Sequence, residues 1–131
     1  GDSQAALISA FRRQHGEGPV AVNAALTRLA QEQANAMAAR DTLDHSVLAP
    51  FSSRIGRSRF SRAAENIAYG HSDFPRTLNQ WVNSAGHRAN LLMPGAKWVG
   101  VAHARNGRRT YWAMVIGIDE SDRAVRRNAR R

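Results

Sequence analysis

The sequence reads as a single α+β domain, a three-layer α-β-α sandwich around a central antiparallel sheet. Two observations carry that reading. Residues 97–118 form a β-rich hairpin with Asn106-Gly107 as its turn, and both faces of that hairpin are apolar. One face carries Val99, Val101, Trp112, Met114 and Ile116, the other Trp98, Ala102, Tyr111 and Val115. A sheet that is apolar on both sides has to be covered on both, and the helix-period stripes elsewhere in the chain supply the covering layers. A length of 131 residues and a 43% hydrophobic share suit one domain with a packed core.

Residues 4–15 are the first expected helix, with Leu7, Ala10 and Phe11 at helical spacing and His15-Gly16 as a cationic last turn and glycine stop. Gly16–Pro19 is a turn. A second helix spans 24–39 behind the cap residue Asn23, with Leu26, Leu29, Ala30 and Met37 on one face. Its alanine content points to close packing on a flat neighbour. A short helix is expected from Phe51 to Gly56, and a short strand from Ile67 to Tyr69. Residues 74–84 form the next helix, with Asp73 as cap, Pro75 in the first turn, Phe74, Leu78, Trp81 and Val82 as the stripe, and Gly86 as the stop. The two-residue turn sets Arg105 opposite Arg108, His103 opposite Thr110, Val101 opposite Trp112 and Val99 opposite Met114. The domain is expected over residues 1–120, followed by a basic tail over 121–131.

Composition excludes several chemistries. With no cysteine there is no thiolate nucleophile, zinc knuckle or iron–sulfur ligation. The longest apolar run, Tyr111 to Ile118, is well short of the ~20 residues of a membrane-spanning helix. No GxGxxG, Walker loop, HExxH or Gly-x-Ser-x-Gly motif occurs. The net charge of +9 is local: Arg54, Arg57, Arg59 and Arg62 form one cluster, Arg123, Arg126, Arg127, Arg130 and Arg131 another, and the other ten basic residues balance ten acidic ones. Such clusters suit an anionic partner or a solvated face. A nucleic-acid partner is not expected, because no recognition motif or aromatic platform accompanies the arginines.

Three polar groups stand in otherwise order-forming stretches: His45 in Leu43-Asp44-His45-Ser46, Glu65 in Ala64-Glu65-Asn66-Ile67-Ala68-Tyr69-Gly70, and His87 in Gly86-His87-Arg88-Ala89-Asn90-Leu91-Leu92. Together with Tyr111–Val115, and in this order, these segments resemble the CAP superfamily, the SCP-like extracellular domain of cysteine-rich secretory, antigen 5 and pathogenesis-related proteins. The resemblance is to its short, cysteine-free bacterial branch and covers about residues 5–118. It implies an α-β-α sandwich with a cleft lined by two histidines and acidic residues, which in several members holds a divalent metal, usually zinc. The carried-over candidates are His45, Glu65 and His87, with His45 and His87 as metal ligands. Eukaryotic members place a second Glu three residues after the tryptophan. Here that position is Ser84, so the acidic set is incomplete.

Two neutral imidazoles suit a divalent cation and leave open positions for water, while a carboxylate beside them suits a proton acceptor. The same three groups also suit a buried hydrogen-bonded network joining three segments. Asn66, Ser84, Arg88 and Asn90 are expected around the cleft, orienting it. The functional expectation is a secreted or periplasmic binding module, monomeric, its signal peptide removed, with lipid, an anionic envelope polymer or a protein as partner, and zinc or another divalent metal weakly bound. Lipid binding is implied by the resemblance alone. A metal-dependent, protease-like hydrolase using His45, Glu65 and His87 is the alternative.

Overall fold

The computed structural model describes residues 1–119. Along them run α1 (Asp2–Gln14), β1 (Ala21–Val22), α2 (Ala24–Arg40), α3 (Phe51–Ile55), β2 (Phe60–Tyr69), α4 (Phe74–Val82), α5 (Ala85–Leu91), β3 (Trp98–Asn106) and β4 (Arg109–Asp119). The sheet order is β1-β3-β4-β2. Strand β4 pairs antiparallel with β3, as the hairpin predicts, and also with β2, whereas the two-residue β1 runs parallel to β3, with Ala21 beside Trp98 and Val22 beside Val99. The sheet is therefore mixed. The basic tail expected over 121–131, with its five arginines, lies outside the described residues.

The two hairpin faces seed two cores. Val99, Trp112, Met114 and Ile116 pack with Ile8 of α1, Phe74, Leu78 and Trp81 of α4 and Leu91 of α5. Ala102, Tyr111, Ala113 and Val115 pack with Leu26, Ala30, Ala34, Met37 and Ala38 of α2. The three layers follow directly from the alternation of side chains along β3 and β4. The small residues of α2 let its backbone lie on the sheet: a Cβ at Gly100 of β3 would stand 2.2 Å from the Thr27 nitrogen and 2.3 Å from the Leu26 carbonyl carbon. Only glycine fits there.

The hairpin register differs from expectation by two residues. Asn106 pairs with Arg109, so Gly107-Arg108 is the loop, and His103 faces Trp112, Val101 faces Met114 and Val99 faces Ile116. Gly107 has φ +58° while Arg108 is not in the left-handed region. A single left-handed residue at the first loop position belongs to a Gly-X loop of the II′ kind rather than the I′ turn that Asn-Gly suggests. An even shift leaves every side chain on its expected face, which is why the layer assignment survives.

Other local expectations shift for identifiable reasons. Strand β2 is ten residues long rather than three, because β4 is long enough to pair with it from Phe60↔Asp119 to Tyr69↔Tyr111, with an irregularity between Phe60 and Arg62. Gly86 does not stop a helix. Helix α4 ends at Val82, Ser84 stands at the N-terminus of α5, and Gly86 lies inside α5's first turn. In α1 the buried face is Ala5, Ile8, Ser9 and Arg12, while Leu7 is 41% exposed. The face rotates because Arg12 is a core residue. Its guanidinium donates to the carbonyls of Gly18 (2.7 Å), Leu91 (2.8 Å), Met93 (3.0 Å) and Ala96 (3.2 Å), closing α1 against the chain on either side of the sheet's parallel edge. Burial lowers the Arg12 pKa from the usual arginine value, and Glu17 pulls it partly back.

Candidate functional site

The segment between α2 and α3 has no ladder to satisfy its backbone, and four of its carbonyls accept instead from side chains. Gln33 of α2 donates to Asp44 O (2.8 Å), Arg40 to Val47 O (3.0 Å), and Arg54 of α3 to His45 O and Ala49 O (3.0 Å each). Buried backbone polar groups need such partners. The result is a fixed loop that carries His45 to the edge of β2.

There His45 Nδ1 lies 2.9 Å from Glu65 Oε1. The Glu65 side chain is 1% exposed, and Arg54 spans it, with Nη2 2.7 Å from Oε1 and Nη1 3.0 Å from Oε2. Both carboxylate oxygens thus face N–H donors, and the imidazole contact is a donation from Nδ1–H. In the neutral ring the lone pair is then on Nε2, and the His45 side chain is 48% exposed. A carboxylate behind a histidine is the arrangement that fixes tautomer and ring direction.

His87 arrives from the opposite layer, in α5. Its carbonyl accepts from Asn66 Nδ2 (3.0 Å), and Asn90 Nδ2 donates to Asn66 Oδ1 (2.9 Å) and more weakly toward Glu65 O (3.4 Å). Trp81 Nε1 donates to Ile67 O (3.0 Å). Side chains of α4 and α5 therefore complete the outer edge of β2 where another strand would have done so. Arg88 Nη1 donates to Val82 O (2.9 Å), holding α5 back on the end of α4. Ser84 begins α5, without a side-chain cap bond. The His87 Nδ1 atom is buried without a hydrogen-bond partner among the described residues. The His87 pKa is lowered, first by burial and second by repulsion from the nearby His45.

Fold and side chains thus bring His45 onto Glu65 and place His87 near enough to His45 for the two rings to repel when charged, with Asn66 and Asn90 between β2 and α5 and with Arg88 and Ser84 shaping α5. Two participants escaped the sequence reading. Arg54 is grouped there with an exposed basic cluster, yet its side chain is only 8% exposed and it forms the floor of the site. Arg57 and Arg62 are exposed, and the exposed Arg59 reaches to 3.5 Å from the buried Asp119. The other is Gln33, fully buried beneath the His45 loop. The signal available for Arg54 was its place on the first full turn of the short helix that Phe51 begins.

The donor set fits a divalent cation only as a two-nitrogen site. Both imidazoles suit such an ion, but Glu65 is fully engaged, and among the described residues no three histidine, aspartate or glutamate side chains gather around a common point.

The family model described as cysteine-rich secretory protein family matches residues 5–116. The chain is 30% identical over 106 residues to the YkwD protein of Bacillus subtilis, a match covering 77% of this chain and 41% of that protein. It therefore spans less than half the length of this curated relative. A solved extracellular protein containing an SCP domain from Bacillus anthracis str. Ames superimposes with TM-score 0.79 at 26% identity, over 88% of this chain and 39% of that one. An outer surface protein of Borrelia burgdorferi shares the fold with TM-score 0.79 at 19% identity, over 88% and 89% of the two chains. Among the described residues no helix is long and apolar enough to cross a membrane.

Proposed function

Because the chain belongs to the cysteine-rich secretory protein (CAP) family, we propose that it is a secreted or periplasmic binding module whose ligand site is the cleft between His45 and His87. One observation carries this reading: His45 is held from behind by Glu65 and turns its free Nε2 outward on a half-exposed ring. A ring oriented from behind by a buried carboxylate, with its Nε2 side exposed, is suited to receiving a ligand.

The smallest such ligand is zinc or another divalent metal, with His45 and His87 as its two protein ligands. When bound it would supply a Lewis-acid centre with positions left for water or a partner's donor atoms. Fewer protein ligands than the usual three favour weak, reversible binding. A larger ligand finds support next to the cleft, where α2 and residues 48–58 enclose an open cavity of about 530 Å³. Leu29, Leu48 and Ala49 give it an apolar lining, Arg28 and Arg57 stand on it against a single acid, Glu32, and Arg54 lines it on the side toward Glu65. That combination suits a lipid or an anionic envelope polymer. The relatives' extracellular and outer-surface character supports a location outside the cytoplasm. Metal-dependent hydrolysis gains no separate support, since Arg54 occupies both oxygens of Glu65.

Calorimetry with zinc on the wild type and on His45→Ala/His87→Ala tests the metal. Saturable heat in the wild type alone is expected, and identical heats would remove the site. Parallel titrations with anionic vesicles, lipopolysaccharide and peptidoglycan at low salt test the larger ligand, and no saturable binding to any of them would overturn that part.

A further inference from the structure

Arg54 commits four of the five N–H groups of its guanidinium. Nε donates to Ala49 O, Nη1 to Glu65 Oε2, and Nη2 to both Glu65 Oε1 and His45 O. Three things are tied by this one group: the buried carboxylate, the backbone of the residue that the carboxylate orients, and the loop's return into α3. Phe51, one turn earlier, lies under the guanidinium plane at 5.2 Å from ring centroid to Cζ, which fixes the plane itself. The planar fork is needed. An ammonium group offers donors from one point and cannot span two carboxylate oxygens and two carbonyls at once.

From this geometry we propose that Arg54 is the positioning residue of the cleft: it locks the Glu65 carboxylate and the His45 backbone into one frame, so that His45 keeps its proton on Nδ1 and presents Nε2. The role goes beyond ordinary packing. Without the fork, Glu65 has one oxygen unpartnered and is free to rotate about its last torsion, and the His45 loop loses two of the four carbonyl anchors described above. His45 then has no fixed acceptor behind Nδ1, and its two neutral tautomers compete. The ring nitrogen offered to a ligand becomes variable in identity and direction. Toward the cleft Arg54 acts through Glu65 and His45, to which three of its N–H groups are given. Its burial also explains why one member of the basic cluster differs in kind from Arg57 and Arg62.

The proposal rests on the cleft reading above only for its consequence, not for its geometry, and the test separates the two. Ring ¹⁵N chemical shifts of His45 at pH 8 report the tautomer directly in wild type, in Arg54→Lys and in Arg54→Met/Glu65→Gln. The double variant removes the charge pair together, so that it remains a usable fold if the lysine variant does not. The amide that replaces the carboxylate there still offers His45 an oxygen, but no guanidinium fixes which way it turns. Expected is an Nδ1–H tautomer in the wild type and an averaged mixture in both variants. Zinc binding should weaken tenfold or more in each. Retention of the wild-type ¹⁵N pattern in either folded variant overturns the proposal. Loss of the pattern in the variants, with no zinc binding even in the wild type, upholds Arg54 and instead sinks the metal part of the functional reading.

Discussion

Glu65 and Asn66 are neighbours on β2 and act on opposite sides of the sheet. Glu65 takes the His45 ring on the α2 side, while Asn66 takes the His87 carbonyl on the α5 side. Adjacent residues of a strand point to opposite faces, so a two-residue unit on an outer strand is the shortest device that draws one segment from each helical layer to the same edge. The proposed site lies at this edge because β2 is that strand.

Replacement of Asn66 by alanine should release α5 without unmaking the sheet. It removes the donor to His87 O and the acceptor for Asn90. A loss of about 1–3 kcal/mol is expected from denaturant midpoints. Amide exchange should quicken in α5 and not in the β3–β4 ladder; uniform quickening across both would contradict a local role.

Protonation of His87 should weaken the fold in mildly acid solution. Burial and repulsion from His45 lower its folded pKa, so between that value and the unfolded value of ~6.5 the unfolded chain binds more protons. Its contribution is full above pH ~6.5 and is lost as pH falls through the folded pKa. Urea midpoints measured from pH 8 to 5 should drop more in the wild type than in His87→Gln. Equal drops would mean that other groups govern the decline.

Gly100→Ala should be among the most damaging single methyl groups that can be added. The new Cβ meets the α2 backbone at 2.2–2.6 Å, which no rotamer change relieves. A loss of ~3 kcal/mol or more is expected, read as a fall in the thermal midpoint. A near-neutral result would show that α2 can lift from β3 freely.

Arg12→Met keeps much of the volume and removes the four donations that join α1 to the Gly18 and Leu91–Ala96 segments. Several carbonyls are then left buried without a donor, and a loss of at least ~3 kcal/mol is expected in chemical denaturation. Zinc titration of the folded fraction should be unchanged, because Arg12 belongs to the core opposite α2 and not to the cleft.

Much of the fold is legible in the residue pattern because period-2 and period-3.6 burial leave direct traces. The faces of β3 and β4, the Asn23 and Asp73 caps, whose side chains accept from Leu26 N and Arg76 N, and the alanine face of α2 are all of this kind. Errors cluster where a polar residue serves as core. Arg12 turns α1 by one position, and Glu65 with Asn66 hides the first two thirds of β2 by interrupting its apolar run. A strand edge satisfied by Trp81 and Asn90 side chains leaves no periodic mark.

By itself the sequence determined the layers and the two cores, and it nominated His45, Glu65 and His87 as the site, because each reading rests on local spacing or on a motif. Only the tertiary structure decided what those groups can do. Arg54 and Glu65 are eleven residues apart and on different elements, and nothing in their separation shows that a guanidinium will fill both carboxylate oxygens and leave the His45 nitrogen facing outward. Hydrogen-bond direction is a property of three-dimensional placement, and here it sets which His45 nitrogen faces Glu65 and which faces away.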